Sequence, residues 1–261
     1  SNREKAVMKE LKLRVIPDFP MIKNGDDLVE IILESLETNG YQLVSGDILV
    51  IAQKIVSKAE GRLIALDTVR PSQEAETLAH QTEKDPRLVQ LILNESAEVM
   101  RSKPGVIIVR HKLGHVGANA GIDQSNIEQG EGDSALLLPE NPDESAKLLK
   151  KSIDKRLDID IGIIIADSMN RPWRLGTVGE AIGCAGIMVL DDRRGETDLF
   201  GRELKVTLIN RADAIAAFAT LAMGETTEKT PLAIISGWEQ ELGEGGRAAE
   251  IMRPIEDDLF N

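Results

Sequence analysis

A single cysteine, Cys184, is all the thiol chemistry this 261-residue sequence has, which excludes an intrachain disulfide and an all-cysteine zinc site. It lies in the small-residue run Ala181-Ile182-Gly183-Cys184-Ala185-Gly186, where a thiol acts as a small buried hydrophobe. Aromatic residues are only 3% of the chain, too few for the stacking platforms that grip single-stranded nucleic acid. Positive charge is also short: 31 Lys plus Arg stand against 44 Asp plus Glu, and a formal net charge of -13 repels a phosphate backbone at long range. No nucleic-acid partner is expected. No apolar run approaches a membrane span, and the charged stretch Arg3-Glu4-Lys5 lacks the apolar centre of a secretory leader. The expected compartment is the cytoplasm, with no membrane partner. Several signatures are missing as well. There is no G-x-x-x-x-G-K followed by Ser or Thr, no G-x-G-x-x-G between a strand and a helix, no H-E-x-x-H and no G-x-S-x-G. The histidines His80, His111 and His115 do not share metal-ligand spacing; His80 is expected in solvent, and His111 and His115 hydrogen-bonded to the bend at Lys112-Leu113-Gly114.

What remains is a composition suited to a sizeable core, with 42% hydrophobic residues. Strand-like runs fall at 11–16, 47–52, 106–110, 161–166, 187–190 and 232–235. Helical patterns separate them. Residues 26–36 carry Leu28, Ile32 and Leu36 on one face and stop before Asn39-Gly40. Asp85-Pro86 and Asn141-Pro142 each read as a cap followed by a first-turn proline, the second with Glu144 placed for a capping box before a helix over 145–156. Residues 212–223 form an alanine-rich helix stopped by Gly224. Alternating strands and helices predict an α/β or α+β fold, with helices on mixed sheets. The segment 124–141 reads as a long surface connection, so the chain is one domain over 1–261 or two lobes joined there.

Two stretches concentrate chemistry. Asp123 follows Gly121-Ile122, with Asn126 three residues on, and its alternatives are a turn-closing side chain or a metal ligand. Asp167-Ser168 ends the apolar run 161–166, where α/β proteins place ligands, although an Asp-Ser pair also caps helices. Arg171 and Arg174 downstream favour a site, since guanidinium forks match phosphate oxygens. Lys58, with Gln53 and Ser57 after the strand ending near Ala52, is a candidate phosphate contact. Phe19-Pro20-Met21-Ile22 reads as a packed turn rather than a base pocket, and Asp191-Asp192-Arg193-Arg194-Gly195 as a solvated turn rather than a site.

Taken in order, Phe19-Pro20-Met21-Ile22, Gly46-Asp47 with Ser57-Lys58-Ala59-Glu60-Gly61, Asn119-Ala120-Gly121-Ile122-Asp123 with Ser125-Asn126, Asp167-Ser168 with Arg171, Ala181-Ile182-Gly183, the run from Asp198 to Leu204, and Ala212-Asp213 leading into Met223-Gly224-Glu225 resemble the coenzyme F420-0:γ-glutamyl ligase family. The resemblance implies a family-specific α/β fold, usually a homodimer. It implies γ-linked amide formation between L-glutamate and a deazaflavin coenzyme F420 precursor, consuming GTP with two divalent ions (magnesium or manganese), often helped by potassium. By motif match, Asp123, Asp167, Ser168 and Glu225 would hold metal. Phe19, Pro20, Met21, Ile22, Gln53, Lys58, Asn126 and the segment Met223, Gly224, Glu225, Thr226, Thr227, Glu228, Lys229 and Thr230 would line the GTP site. Arg171 and Arg174 would stabilise the transferring phosphoryl group. Many members have Gly where this chain has Asn170, and Asn tolerates a left-handed turn there. The nitroreductase-like extension fused to some bacterial members is not expected, the sequence ending at Asn261. Rival readings are a two-metal phosphohydrolase using Asp123 and Asp167, a related amide ligase with another carboxylate acceptor, and a nucleotide-binding module without turnover.

Overall fold

The run Ile48-Leu49-Val50-Ile51 is apolar at every position, a pattern satisfied only by a strand covered on both faces. The computed structural model describes residues 9–124, 133–224, 230–238 and 245–259, and there this run is the centre of a five-stranded sheet. Along the chain the elements are β1 (Lys12–Val15), α1 (Leu28–Thr38), β2 (Ile48–Ala52), α2 (Gln53–Ala59), β3 (Leu63–Ala65), α3 (Gln73–Thr82), α4 (Pro86–Glu95), β4 (Ser96–Lys103), β5 (Val106–His111), β6 (Val116–Ala118), β7 (Ser134–Leu136), α5 (Pro142–Leu157), β8 (Gly162–Asn170), β9 (Thr177–Ala185), β10 (Leu190–Asp192), β11 (Leu208–Asn210), α6 (Arg211–Met223) and β12 (Leu232–Ser236). The central sheet has the order β1-β12-β2-β8-β9, in which β2 and β8 are parallel and the other neighbours antiparallel.

Period-two alternation divides the sheet between two cores. Leu49, Ile51, Ile163 and Ile165 pack with Leu28, Ile32 and Leu36 of α1 and Ala146, Leu149 and Ile153 of α5. Ile48, Val50, Ile164 and Ala166 face the other way, onto Ala212, Ile215, Ala216, Ala219 and Met223 of α6. The alanines of α6 let the helix sit close, and a Cβ added at Gly179 of β9 would lie 2.2 Å from Thr220 Oγ1. A third core joins α3 and α4 to Ile107 and Val109 of β5 and to Ala135 and Leu137. The mixed α/β class is therefore as expected. So are the caps: Asp85 and Asn141 both accept from helix backbone N–H groups. No helix among the described residues is long and apolar enough to cross a membrane.

Four expectations change. The strand predicted to end at residue 166 continues to Asn170, held by β9, so Asp167 and Ser168 lie inside a strand and cap no helix. Asn170 is extended there, and the left-handed positions of the following turn are Trp173 and Gly176. The run 187–190 is not a strand: Ile187 and Val189 are buried packing residues, and the strand begins only at Leu190. Finally, 134–139 is buried rather than a surface connection, because Ala135-Leu136-Leu137-Leu138 supplies apolar side chains to two cores while β7 pairs with β3.

Candidate active site

Three chain segments meet where β2 gives way to α2. Ala52 pairs in parallel with Ala166, which sets Gln53 beside Asp167, and the Ala52 N–H donates to the Pro231 carbonyl at 2.8 Å. Thr230, just before Pro231, donates its hydroxyl to the Met223 carbonyl, so the described ends of the segment after α6 arrive at the same place. Gln53 is buried and its Oε1 accepts from the Ser57 hydroxyl at 2.9 Å.

Asp123 reaches this junction from a strained turn. Asn119, Ala120 and Gly121 all have positive φ, at 53°, 54° and 66°, a conformation that costs an alanine on the order of 1 kcal/mol. A Cβ on Gly121 would also meet the Leu138 side chain at 2.9–3.1 Å. The backbone of Asp123 then pairs with Leu136 in both directions, fixing where its carboxylate points. That carboxylate forms an ion pair with Lys54 at 2.5 Å.

Asp167 alternates with Ile165 and Met169 on the α1–α5 face of β8. Burial pushes its carboxyl up to about 7, and the carboxylates of Asp123 and Glu180 push the same way; the Ser168 N–H and the Lys54 ammonium oppose them. Glu180 is its direct partner across the β8–β9 ladder and is itself raised, by burial and then by Asp213. Arg171 pairs with Glu180 at 3.5 Å. The result is a compact set of carboxylates, with Lys54 and Arg171 as its cations.

A divalent ion fits this set. Magnesium is commonly held by one or two carboxylates with substrate phosphate completing the shell, and Asp123 and Asp167 supply that pair. The Lys54 ammonium shows that a cation is accommodated against Asp123, and the neighbouring carboxylates add to the burial that raises Asp167. Among the described residues no group of three metal-ligating side chains converges. Ser168 follows on the other face of β8, paired with Gly179.

The remaining predicted residues divide. Lys58 lies in the last turn of α2, half-buried. Phe19 and Ile22 are buried in the core with α1 while Pro20 and Met21 are exposed, which makes the stretch a packed turn with one outward edge. Met223, the last residue of α6, is buried, and Gly224 closes that helix with φ 74°. Arg174 is exposed, and its backbone N–H donates to the Arg171 carbonyl at 3.4 Å. Asn126, Glu225, Thr226, Thr227, Glu228 and Lys229 lie outside the described residues. Away from the site, Asp191 is buried between Arg193 and Arg211 rather than solvated, and Cys184 is buried as expected. His111 accepts from the Leu113 N–H as expected, but His115 does not bond to the bend.

Sequence reasoning missed Lys54 and Glu180. Lys54 has no distinguishing neighbour in the sequence, and its relevance comes only from the turn that delivers Asp123. Glu180 sits in a strand too rich in small residues to be read as one, and only the β8–β9 register sets it opposite Asp167.

A family model described as F420-0:gamma-glutamyl ligase matches residues 18–237, and the chain belongs to that family. The coenzyme F420:L-glutamate ligase of Methanopyrus kandleri is 45% identical over 253 residues, covering 96% of this chain and 97% of its own. That of Methanocaldococcus jannaschii is 43% identical over 257 residues, with 97% and 99% covered. That of Halorubrum lacusprofundi is 37% identical over 255 residues, with 95% of each covered. The chain is thus a member of a family of ligases, similar to these enzymes along nearly its full length.

Proposed function

We propose that this protein joins L-glutamate to a coenzyme F420 precursor through a γ-glutamyl amide linkage, consuming GTP in the presence of magnesium or manganese. The names of its relatives support the two joined substrates. The observation that carries the phosphoryl-transfer part is the Asp123–Asp167 pair with Lys54 at the β2–α2 junction. The balanced chemistry has two steps. A substrate carboxylate oxygen attacks the γ-phosphorus of GTP, breaking the bond to the β-phosphate oxygen and leaving GDP and an acyl phosphate. The amine of glutamate then attacks the acyl carbon; phosphate leaves with the electron pair and the amine loses its proton to solvent.

Such transfers depend mostly on positioning and charge neutralisation. A divalent ion held by Asp123 and Asp167 would supply neutralisation of the phosphate oxygens. Lys54 and Arg171 add cationic groups from the chain itself, while Gln53, fixed by Ser57, and the linked pair Met223 and Thr230 border the same junction. The exposed apolar residues of the loop joining β10 and β11 support a homodimer.

The test is mass spectrometry of the deazaflavin after incubation with GTP, L-glutamate and magnesium or manganese. A gain of one or more glutamyl units, lost in Asp167→Ala, is the expected result. GTP hydrolysis that proceeds equally without glutamate and yields no mass gain would replace the ligase reading with phosphohydrolysis.

A further inference from the structure

Beside the carboxylate set, a cavity of about 260 Å³ opens between the β5–β6 hairpin, β9, the start of α6 and the C-terminal residues. It is below the roughly 300 Å³ at which pockets for drug-sized ligands begin, so it suits a small metabolite rather than a nucleotide or a deazaflavin. Its charged and imidazole lining is Arg110, His115, Glu180, Asp213, Arg253 and Asp258.

These groups are not equally engaged. Asp213 accepts from the Ala181 N–H at 2.9 Å and the Asn210 amide at 2.6 Å. Arg110 and Asp258 pair loosely with each other at 3.9 Å. Arg253 is exposed and makes no ion pair with the described residues. His115 is the anomaly: it is only 7% exposed, and neither ring nitrogen has a hydrogen-bond partner among the described residues. Each buried polar atom left unpaired costs about 1–3 kcal/mol, and native structures rarely retain such atoms without a use. Stacking on His111, with centroids 4.8 Å apart, fixes the ring plane but satisfies neither nitrogen. The cavity therefore offers an imidazole and a guanidinium able to donate, opposite a carboxylate, Glu180, that also faces Asp167 across the β8–β9 ladder.

We propose that this cavity binds the amino-acid substrate, an α-amino dicarboxylate, with His115 and Arg253 receiving its carboxylates and Glu180 holding its ammonium at the edge of the Asp123–Asp167 centre. The identity of that substrate as glutamate rests on the ligase reading above. A zwitterion with an extra carboxylate matches the mixed lining, and Glu180 is the one lining residue common to cavity and centre, so the amine is the end presented to the acyl phosphate.

The test uses the full chain with magnesium and a non-hydrolysable GTP analogue, reading L-glutamate binding by saturation-transfer NMR, alongside steady-state kinetics with GTP. Arg253→Ala should raise the glutamate KM and weaken its binding about tenfold or more, with Arg253→Lys recovering part of the loss and the KM for GTP unchanged. His115→Leu should act on glutamate in the same way. Wild-type glutamate KM and binding in both Arg253→Ala and His115→Leu would overturn the assignment, as would an absence of glutamate binding by the wild-type chain. Binding that is weakened by these substitutions, in a wild-type protein that forms no glutamylated product, would uphold the cavity and refute the ligase reading instead.

Discussion

Asp167 concentrates the conflict at the candidate site: a carboxyl whose pKa burial raises to about 7, with Asp123 and Glu180 pushing the same way. Asp167→Asn keeps the shape and removes the charge. It should lower GTP-dependent ligation at least about 100-fold while leaving the circular dichroism spectrum unchanged; retention of half the turnover would exclude a direct role. His115 gives a second test, through pH. Burial, with the His111 charge second, holds its pKa down at about 3 against 6.5 in an unfolded chain. Between those values the unfolded state takes up a proton that the folded state refuses, so stability falls as pH drops below 6.5, by roughly 1.4 kcal/mol per unit. The cavity groups around the ring are Arg110, Glu180, Asp213, Arg253 and Asp258, and they are common to wild type and His115→Leu. Urea unfolding at pH 7 and pH 4.5 should show the wild-type chain losing about 2–3 kcal/mol more than the variant. Asp167, shifted the opposite way, contributes equally to both chains and drops out of the difference. Equal losses would show that the ring protonates freely in the fold. At this scale the sequence marks Asp123 and Asp167 as candidates, since a carboxylate after Gly or after an apolar strand is visible in one dimension. It could not reveal Lys54, Glu180 or the unpaired nitrogens of His115, because their roles exist only where distant segments meet.

The elements owe their arrangement to a few close contacts that only small or polar residues permit. Asp143, in the first turn of α5, accepts from the Cys184 N–H at 2.9 Å and the Ala248 N–H at 2.7 Å with one oxygen, and from the Ala249 N–H at 3.2 Å with the other. One carboxylate thus fastens α5 to β9 and to the C-terminal turn that borders the cavity. Asp143→Ala leaves three backbone donors without their acceptor and should cost about 2–4 kcal/mol, read as a lowered urea midpoint with little change in m. A loss under 0.5 kcal/mol would mean that water replaces the carboxylate at all three positions. Helices α1, α4, α5 and α6 were legible because their periodicity and caps are local. Strand β9 was not, since Gly179, Ala181, Gly183 and Ala185 are chosen for the helices packed on them: a Cβ at Gly183 would lie 2.3 Å from the Pro142 carbonyl. Likewise 134–139 was taken for surface because its Gly- and Glu-rich approach obscured four apolar residues in a row.

For the molecule as a whole, the unexplained surface is apolar. Leu175 and Leu199 are fully exposed, and Phe200, Val206 and Trp173 nearly so, on the turn between β8 and β9 and on the loop between β10 and β11. Single exposed apolar side chains are ordinary, but a loop that presents Leu199, Phe200 and Val206 together favours a covering surface. A second copy of the chain, as the family resemblance implies, would provide one. Burying a Leu or Phe is worth roughly 1.5–3 kcal/mol, so replacing both Leu199 and Phe200 with Glu should raise the dimer dissociation constant by about 100-fold or more. The formal charge of -13 on each copy adds long-range repulsion, which salt screens. Sedimentation velocity should therefore show a wild-type dimer that tightens between low and physiological ionic strength, and a monomeric Leu199→Glu/Phe200→Glu chain at the same concentration. A monomeric wild type at tens of micromolar would leave the exposed loop to some other partner. A dimer unaffected by the double substitution would move the interface to another face of the molecule.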